Sequence, residues 1–138
     1  MLNLYSGVEN RMLNILFVSR DTTSMTALKT ALEESDVLTT WAESGSYALS
    51  LLAERDVDLI VTDENIGDMT GLEFIKTAIA QKPMINYAAV SSLLPDDFHE
   101  VSEGLGILMQ LPVNPGQKDA QELLERLKII HNMAAAAM

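Results

Sequence analysis

Cysteine is absent from the 138 residues, which excludes a disulfide framework and any thiolate metal site and agrees with a reducing compartment. Basic residues are scarce: nine lysines and arginines stand against twenty acids, for a formal charge of −11. Such a surface repels phosphate backbones, and no local basic patch offsets it, so the chain is not expected to bind nucleic acid. No apolar run is long enough to span a bilayer, and residues 1–10 lack the basic start and long apolar middle of a secretory signal. The expectation is a cytoplasmic protein with no membrane partner. Also missing are a glycine-rich phosphate loop, a Gly-x-Ser-x-Gly elbow and a His-Glu-x-x-His pair. With no base, nucleophile and oxyanion donor assembled, the chain is not expected to be an enzyme.

What is present is a core-forming pattern. A hydrophobic content of 48% in 138 residues fits one domain. Apolar runs at Asn14–Val18, Val37–Ala42, Asp58–Thr62, Met84–Val90 and Ile107–Leu111 predict five strands. Between and after them lie helical stripes. Met25, Leu28, Ala31 and Leu32 follow a capping cluster at Asp21. Tyr47, Ala48, Leu51 and Leu52 follow Ser44. Leu72, Ile75, Ala78 and Ile79 end before Pro83, a short helix starts at Pro95, and Ala120, Leu123, Leu124, Leu127 and Ile130 close the series. Strands alternating with helices imply an α/β fold with a parallel sheet covered on both faces: a doubly wound, five-stranded, three-layer (βα)5 sandwich. Residues 1–11 read as an N-terminal extension, 12–132 as the domain, and 133–138 as a tail that continues the last helix or frays.

The most informative stretch runs from Asp58 to Gly71. An apolar strand ends abruptly in Asp63, with Asn65 two residues on, a glycine at Gly71 and an apolar helix after it. Open α/β sheets place their ligands at the carboxyl ends of such strands. Together with Ala89-Val90-Ser91-Ser92 at the end of the fourth strand, this stretch resembles the phosphoacceptor strand and loop of the flavodoxin-like, CheY-like receiver domains of response regulators. The resemblance implies two-component signalling, in which a histidine kinase donates a phosphoryl group to an aspartate. By position it implies Asp63 as phosphoacceptor, a backbone carbonyl of Asn65 as a ligand of Mg2+, and Ser91 as the hydroxyl that contacts the phosphoryl group.

Departures from the family pattern shape the functional expectation. The acid pair that holds magnesium after the first strand is replaced by Ser19 and Arg20, leaving Asp21, one position late, as a weak substitute ligand. The lysine of the fifth strand is Leu111, followed by Pro112, where the family has a cis peptide bond. Phosphoryl transfer depends on positioning and on neutralising charge, so losing the metal cage and the lysine weakens autophosphorylation and leaves Mg2+ as a weakened cofactor at most. Gly67 stands where a proline is usual, which predicts a looser loop. Arg20 either pairs with Asp63 in place of a metal or points to solvent. The reading is an atypical, pseudo-receiver module that acts mainly through protein partners, a histidine kinase or an output protein. The face implied for docking or homodimerisation is the fourth helix, fifth strand and fifth helix, involving Phe98, Val101 and Leu105. The alternative is a phosphorylation-competent receiver using Asp63 with Asp21 and Glu64 around Mg2+. His99 and His131 have no spaced partners and receive no role, and Trp41 is expected to be a packing residue.

Overall fold

The computed structural model describes residues 12–137, with side chains through Asn132; the extension assigned to residues 1–11 lies outside that span. Five strands and five helices alternate: β1 (Leu13–Val18), α1 (Thr22–Leu32), β2 (Val37–Ala42), α2 (Gly45–Glu54), β3 (Leu59–Thr62), α3 (Gly71–Gln81), β4 (Asn86–Val90), α4 (Pro95–Val101), β5 (Met109–Leu111) and α5 (Gln117–Ala137). The strands form one parallel sheet in the order β2-β1-β3-β4-β5. This is the flavodoxin-like three-layer sandwich that the alternating pattern predicts.

The period-two geometry of strands sorts the core into two halves. Ile15 and Phe17 of β1 point to the side of α1 and α5, where they meet Met25, Leu28, Leu123 and Leu127. Leu16 and Val18 point the other way, onto Leu52, Phe74, Ile75 and Ala78 of α2 and α3. Both faces of the sheet are thus covered, which is why its central strands read as unbroken apolar runs. Helix starts follow local chemistry: Asp21 caps α1, Ser44 caps α2, Thr70 and Glu73 form a reciprocal capping box on α3, and Pro95 opens α4.

Several sequence expectations need correction. The fourth strand begins at Asn86 and not at Met84, which is 91% exposed. The third begins at Leu59, because the Asp58 carboxylate turns back to accept the Asn14 backbone N–H at 2.8 Å. The fifth is only Met109–Leu111, with Ile107 and Leu108 packed against the core outside it. Tyr47 is exposed and not part of the apolar face of α2, which buries Ala48, Leu51 and Leu52. The backbone of residues 133–137 continues α5.

Candidate functional site

The sheet order reverses direction between β1 and β3, and the carboxyl ends of these neighbours form the crevice where such folds collect functional groups. Val18 and Thr62 are paired, so the next residues, Ser19 and Asp63, emerge side by side. Asp63 N–H donates to the Val18 carbonyl at 2.9 Å, and Ser19 N–H to that of Ala42 at 3.0 Å. The Ser19 side chain is fully buried and its hydroxyl donates to Asp63 Oδ2 at 2.7 Å. The Ser24 hydroxyl, in the first turn of α1, lies 3.0 Å from the same oxygen. The Glu64 backbone N–H donates to Oδ1 at 2.8 Å. A half-buried carboxylate is thereby satisfied by neutral donors, with no cation among them.

The rest of the loop between β3 and α3 is tied down in the same way. Glu64 Oε2 accepts from the Ser92 N–H and the Ser92 hydroxyl, each at 3.0 Å, with Ser91 Oγ at 3.3 Å. Asp68 reaches the start of α2, accepting from Gly45 N–H, Ser46 N–H and the Ser46 hydroxyl, all at 2.9 Å. These bonds, the Gly45 N–H first, hold the Asp68 carboxyl below its ordinary value. Three carboxylates of one loop therefore reach three neighbouring loops: Asp63 to that after β1, Glu64 to that after β4, and Asp68 to that after β2. Gly71 is dictated by this crowding, since a Cβ there would collide with the Asp63 carbonyl oxygen.

Each residue singled out from the sequence has a definite place. Asp63 and Ser91 sit at the ends of adjacent strands β3 and β4, at the same edge of the sheet. Asn65 is exposed, and its side-chain Oδ1 accepts the Gly67 N–H at 2.9 Å. Asp21 Oδ1 is engaged by the Thr23 N–H at 3.0 Å and its hydroxyl at 2.6 Å, and the Thr23 hydroxyl is the leading cause of its lowered pKa. Arg20 is exposed and makes no ion pair with Asp63; its stem lies across Gly67, whose positive φ of 90° and missing Cβ make room for it. Ser19, not Arg20, is the neighbour after β1 that bonds the Asp63 carboxylate. Leu111 is fully buried in the α1 and α5 half of the core, and its peptide bond to Pro112 is trans. The Gly67 N–H bonds to Asn65 Oδ1, and Asp68 ties the same loop to the start of α2.

The donor set fits a magnesium ion poorly. A hard cation wants one or two free carboxylates, yet hydroxyl and amide donors already engage both oxygens of Asp63 and the Oδ1 of Asp21. Among the described residues no three acidic or histidine side chains converge.

Sequence reasoning missed Ser24, Asp68 and the bond from Glu64 to the serines after β4. It also gave Trp41 a packing role alone. Trp41 does stack on its cross-strand partner Phe17, with centroids 5.8 Å apart, but its indole N–H also donates to the Ser19 carbonyl at 3.1 Å. Only Ser24 carried a usable signal, falling one helical turn after the cap at Asp21, beside the strand end.

On the α4–β5–α5 side, an open groove of about 390 Å³ is lined by Phe98, His99, Gln110, Asp119, Glu122 and Arg126, among others. Phe98, expected on the exposed face, is buried at its floor; Val101 is half exposed and Leu105 is packed against the core. Arg126 pairs with Glu122 at 2.7 Å and donates to the Leu108 carbonyl at 2.9 Å.

A family model described as the response regulator receiver domain matches residues 15–107. No curated protein matches the chain. The signal receiver domain of an HD domain-containing protein from Pseudomonas fluorescens Pf-5 superposes with a TM-score of 0.81 at 19% identity, covering 99% of this chain and 100% of that one. Chemotaxis response regulator CheY4 of Vibrio cholerae gives 0.75 at 19% identity, over 85% and 99% of the two chains. A two-component response regulator from Legionella pneumophila gives 0.70 at 23% identity, over 84% and 98%. Among the described residues no helix is long and apolar enough to cross a membrane.

Proposed function

Since this chain belongs to the response regulator receiver domain family, we propose that it is an atypical receiver that works mainly as a protein-interaction module of two-component signalling and not as an enzyme. The observation that carries this reading is the satisfaction of Asp63 by Ser19, Ser24 and the Glu64 N–H, where metal and lysine would otherwise neutralise charge. Three of the roughly four lone-pair sites of this carboxylate are taken, two on Oδ2 and one on Oδ1, so little of it is left for phosphoryl transfer or metal binding to use. Its partners are a histidine kinase or an output protein of the cytoplasm. The surface for them, or for a second copy, is the groove between α4 and α5, two helices that also expose Val101 and Ile129.

A second reading is favoured by the partial exposure of Asp63 and by Ser91 at the end of the adjacent strand. In it Asp63 accepts a phosphoryl group from a histidine kinase with Mg2+, after Ser19 and Ser24 release it. Titration with beryllofluoride and magnesium separates the two, followed by Trp41 fluorescence and by amide shifts around Asp63. Trp41 suits the purpose because a single residue, Ser19, links it to Asp63. The interaction-module reading expects no saturable change. A magnesium-dependent change that Asp63→Asn abolishes would replace it with the phosphoacceptor.

A further inference from the structure

Glu64 follows the aspartate of the site directly, yet its side chain goes the other way, across the top of β4. Its Oε2 meets Ser92 N–H and Ser92 Oγ at 3.0 Å and Ser91 Oγ at 3.3 Å. A single carboxylate oxygen thus collects a backbone amide and two hydroxyls from consecutive residues. Such a group of neutral donors is suited to an oxyanion, because it supplies directional partial charge with no competing cation. The serines are held for this task. Ser91 N–H donates to the Leu111 carbonyl at 3.0 Å, and Ser91 Oγ accepts the Leu93 N–H at 3.1 Å, which turns the chain so that the Ser92 amide faces Glu64. From the far side, the Gln110 side-chain amide donates to the Leu93 carbonyl at 2.9 Å and lies 3.4 Å from that of Ser91.

We propose that Ser91 and Ser92 form an oxyanion-binding cradle whose resident ligand is the chain's own Glu64 carboxylate, and that this internal latch fixes the β4–α4 loop whatever the state of Asp63. The cradle stands on these hydrogen bonds alone; only its consequence for signalling rests on the receiver reading. In that setting Glu64 holds the hydroxyl that a phosphoryl group on Asp63 would otherwise recruit. The α4 surface that follows the loop is then presented in one fixed state. Freed of Glu64, the cradle accepts a small exogenous carboxylate.

Amide hydrogen exchange at Ser92 in the full chain tests this, because that N–H is itself one of the latch bonds. Glu64→Ala is expected to speed exchange at Ser92 by about tenfold or more, from the loss of a bond to a charged acceptor. Glu64→Gln, which keeps the shape and loses the charge, is expected to fall between. Acetate is expected to restore protection at Ser92 in Glu64→Ala in a saturable way, whereas chloride at equal ionic strength is not. Wild-type exchange at Ser92 in Glu64→Ala, or restoration by chloride as well as by acetate, would overturn the proposal. The same experiment in an Asp63→Asn background separates the two readings: the latch persists there, since Asp63 makes no bond to the cradle, while any response of Asp63 to beryllofluoride is lost.

Discussion

The indole N–H of Trp41 and the carbonyl of Ser19 are hydrogen bonded at 3.1 Å, and through Ser19 the one tryptophan of the chain is joined to the carboxylate of the site. The connection follows from sheet geometry. Trp41 lies opposite Phe17 on the neighbouring strand, and Ser19 continues the β1 line past its end, within reach of an indole stacked on that pair. The serine therefore serves two masters with different atoms. Its carbonyl anchors an aromatic ring, and its hydroxyl donates to the Asp63 carboxylate.

Removing that hydroxyl has a calculable effect. Ser19→Ala is expected to lower stability by about 1.5–3 kcal/mol, the range for a hydrogen bond to a charged group. Ser19→Asp, which recreates an acid next to Asp63, is expected to cost more in metal-free buffer, since it places a second charge in a fully buried position. Urea unfolding followed by Trp41 emission measures both. An aspartate variant as stable as the alanine one would show that the pocket admits water or ions that the hydrogen bonds do not require.

Gly71 offers a sharper contrast of signs. Alanine is the better helix former by about 1 kcal/mol, so at the first residue of α3 the change would ordinarily help. Here the added Cβ meets the Asp63 carbonyl and the Thr62 side chain, and Gly71→Ala is expected to destabilise by about 1–3 kcal/mol. Gly116, just before α5, has open space around it, so Gly116→Ala is expected to be neutral or stabilising by a few tenths of a kcal/mol. Chemical denaturation of the pair checks the prediction, which fails if both variants move together.

Part of the acid sensitivity should trace to Asp68, beside Asp21 and Glu33, whose carboxyls are also held below their ordinary values. Its carboxyl lies below the ordinary aspartate value of 3.8, held down by the Gly45 and Ser46 amides at the start of α2. A depressed value in the folded state means that the unfolded chain binds the proton more readily. The contribution is therefore complete above pH 3.8 and disappears as pH falls through the lower, folded value. Thermal midpoints of wild type and Asp68→Ala should differ at neutral pH and converge below pH 3.8. A gap that persists unchanged into strong acid would mean that Asp68 acts by packing and not by charge.

The fold was legible because each strand carries its own apolar run, with a separate helical stripe after it. Strand ends were less so: Met84 belongs to the apolar run before Tyr87 yet stands in solvent, since composition does not register where the sheet stops. Asp63 and Ser91 were legible as positions, because a carboxylate or hydroxyl that closes an apolar strand must emerge at the sheet's edge. Their partners were not. The bonds from Asp63 to Ser24 and from Glu64 to Ser92 join residues 39 and 28 apart in sequence, and no periodicity marks such a pairing. Arg20 was legible only as a choice. Its place at the missing acid pair left an ion pair with Asp63 and a solvent-facing side chain both open, and the space over Gly67 takes the side chain to the exposed alternative.

The interaction face yields the last prediction, because its charge opposes its shape. Val101 and Ile129 are exposed on the two helices that line the groove, α4 and α5, an apolar invitation to a partner. On α4 and just after it, Asp96, Asp97, Glu100 and Glu103 are all exposed as well. Two copies meeting through this face would bring acids against acids, and the chain's charge of −11 adds a long-range term of the same sign. Self-association is therefore expected to strengthen as salt rises from about 0.02 M to about 0.5 M, where the screening length falls from roughly 20 Å to roughly 4 Å. Val101→Asp is expected to weaken it at every salt concentration. Glu122→Lys removes the partner of Arg126 and reverses one charge at the groove, so it should strengthen self-association at low salt and reduce its salt dependence. Sedimentation equilibrium reads all three. Association that ignores both salt and Val101→Asp would move the contact to another face. Salt-dependent association that ignores Glu122→Lys would confine it to the α4 flank.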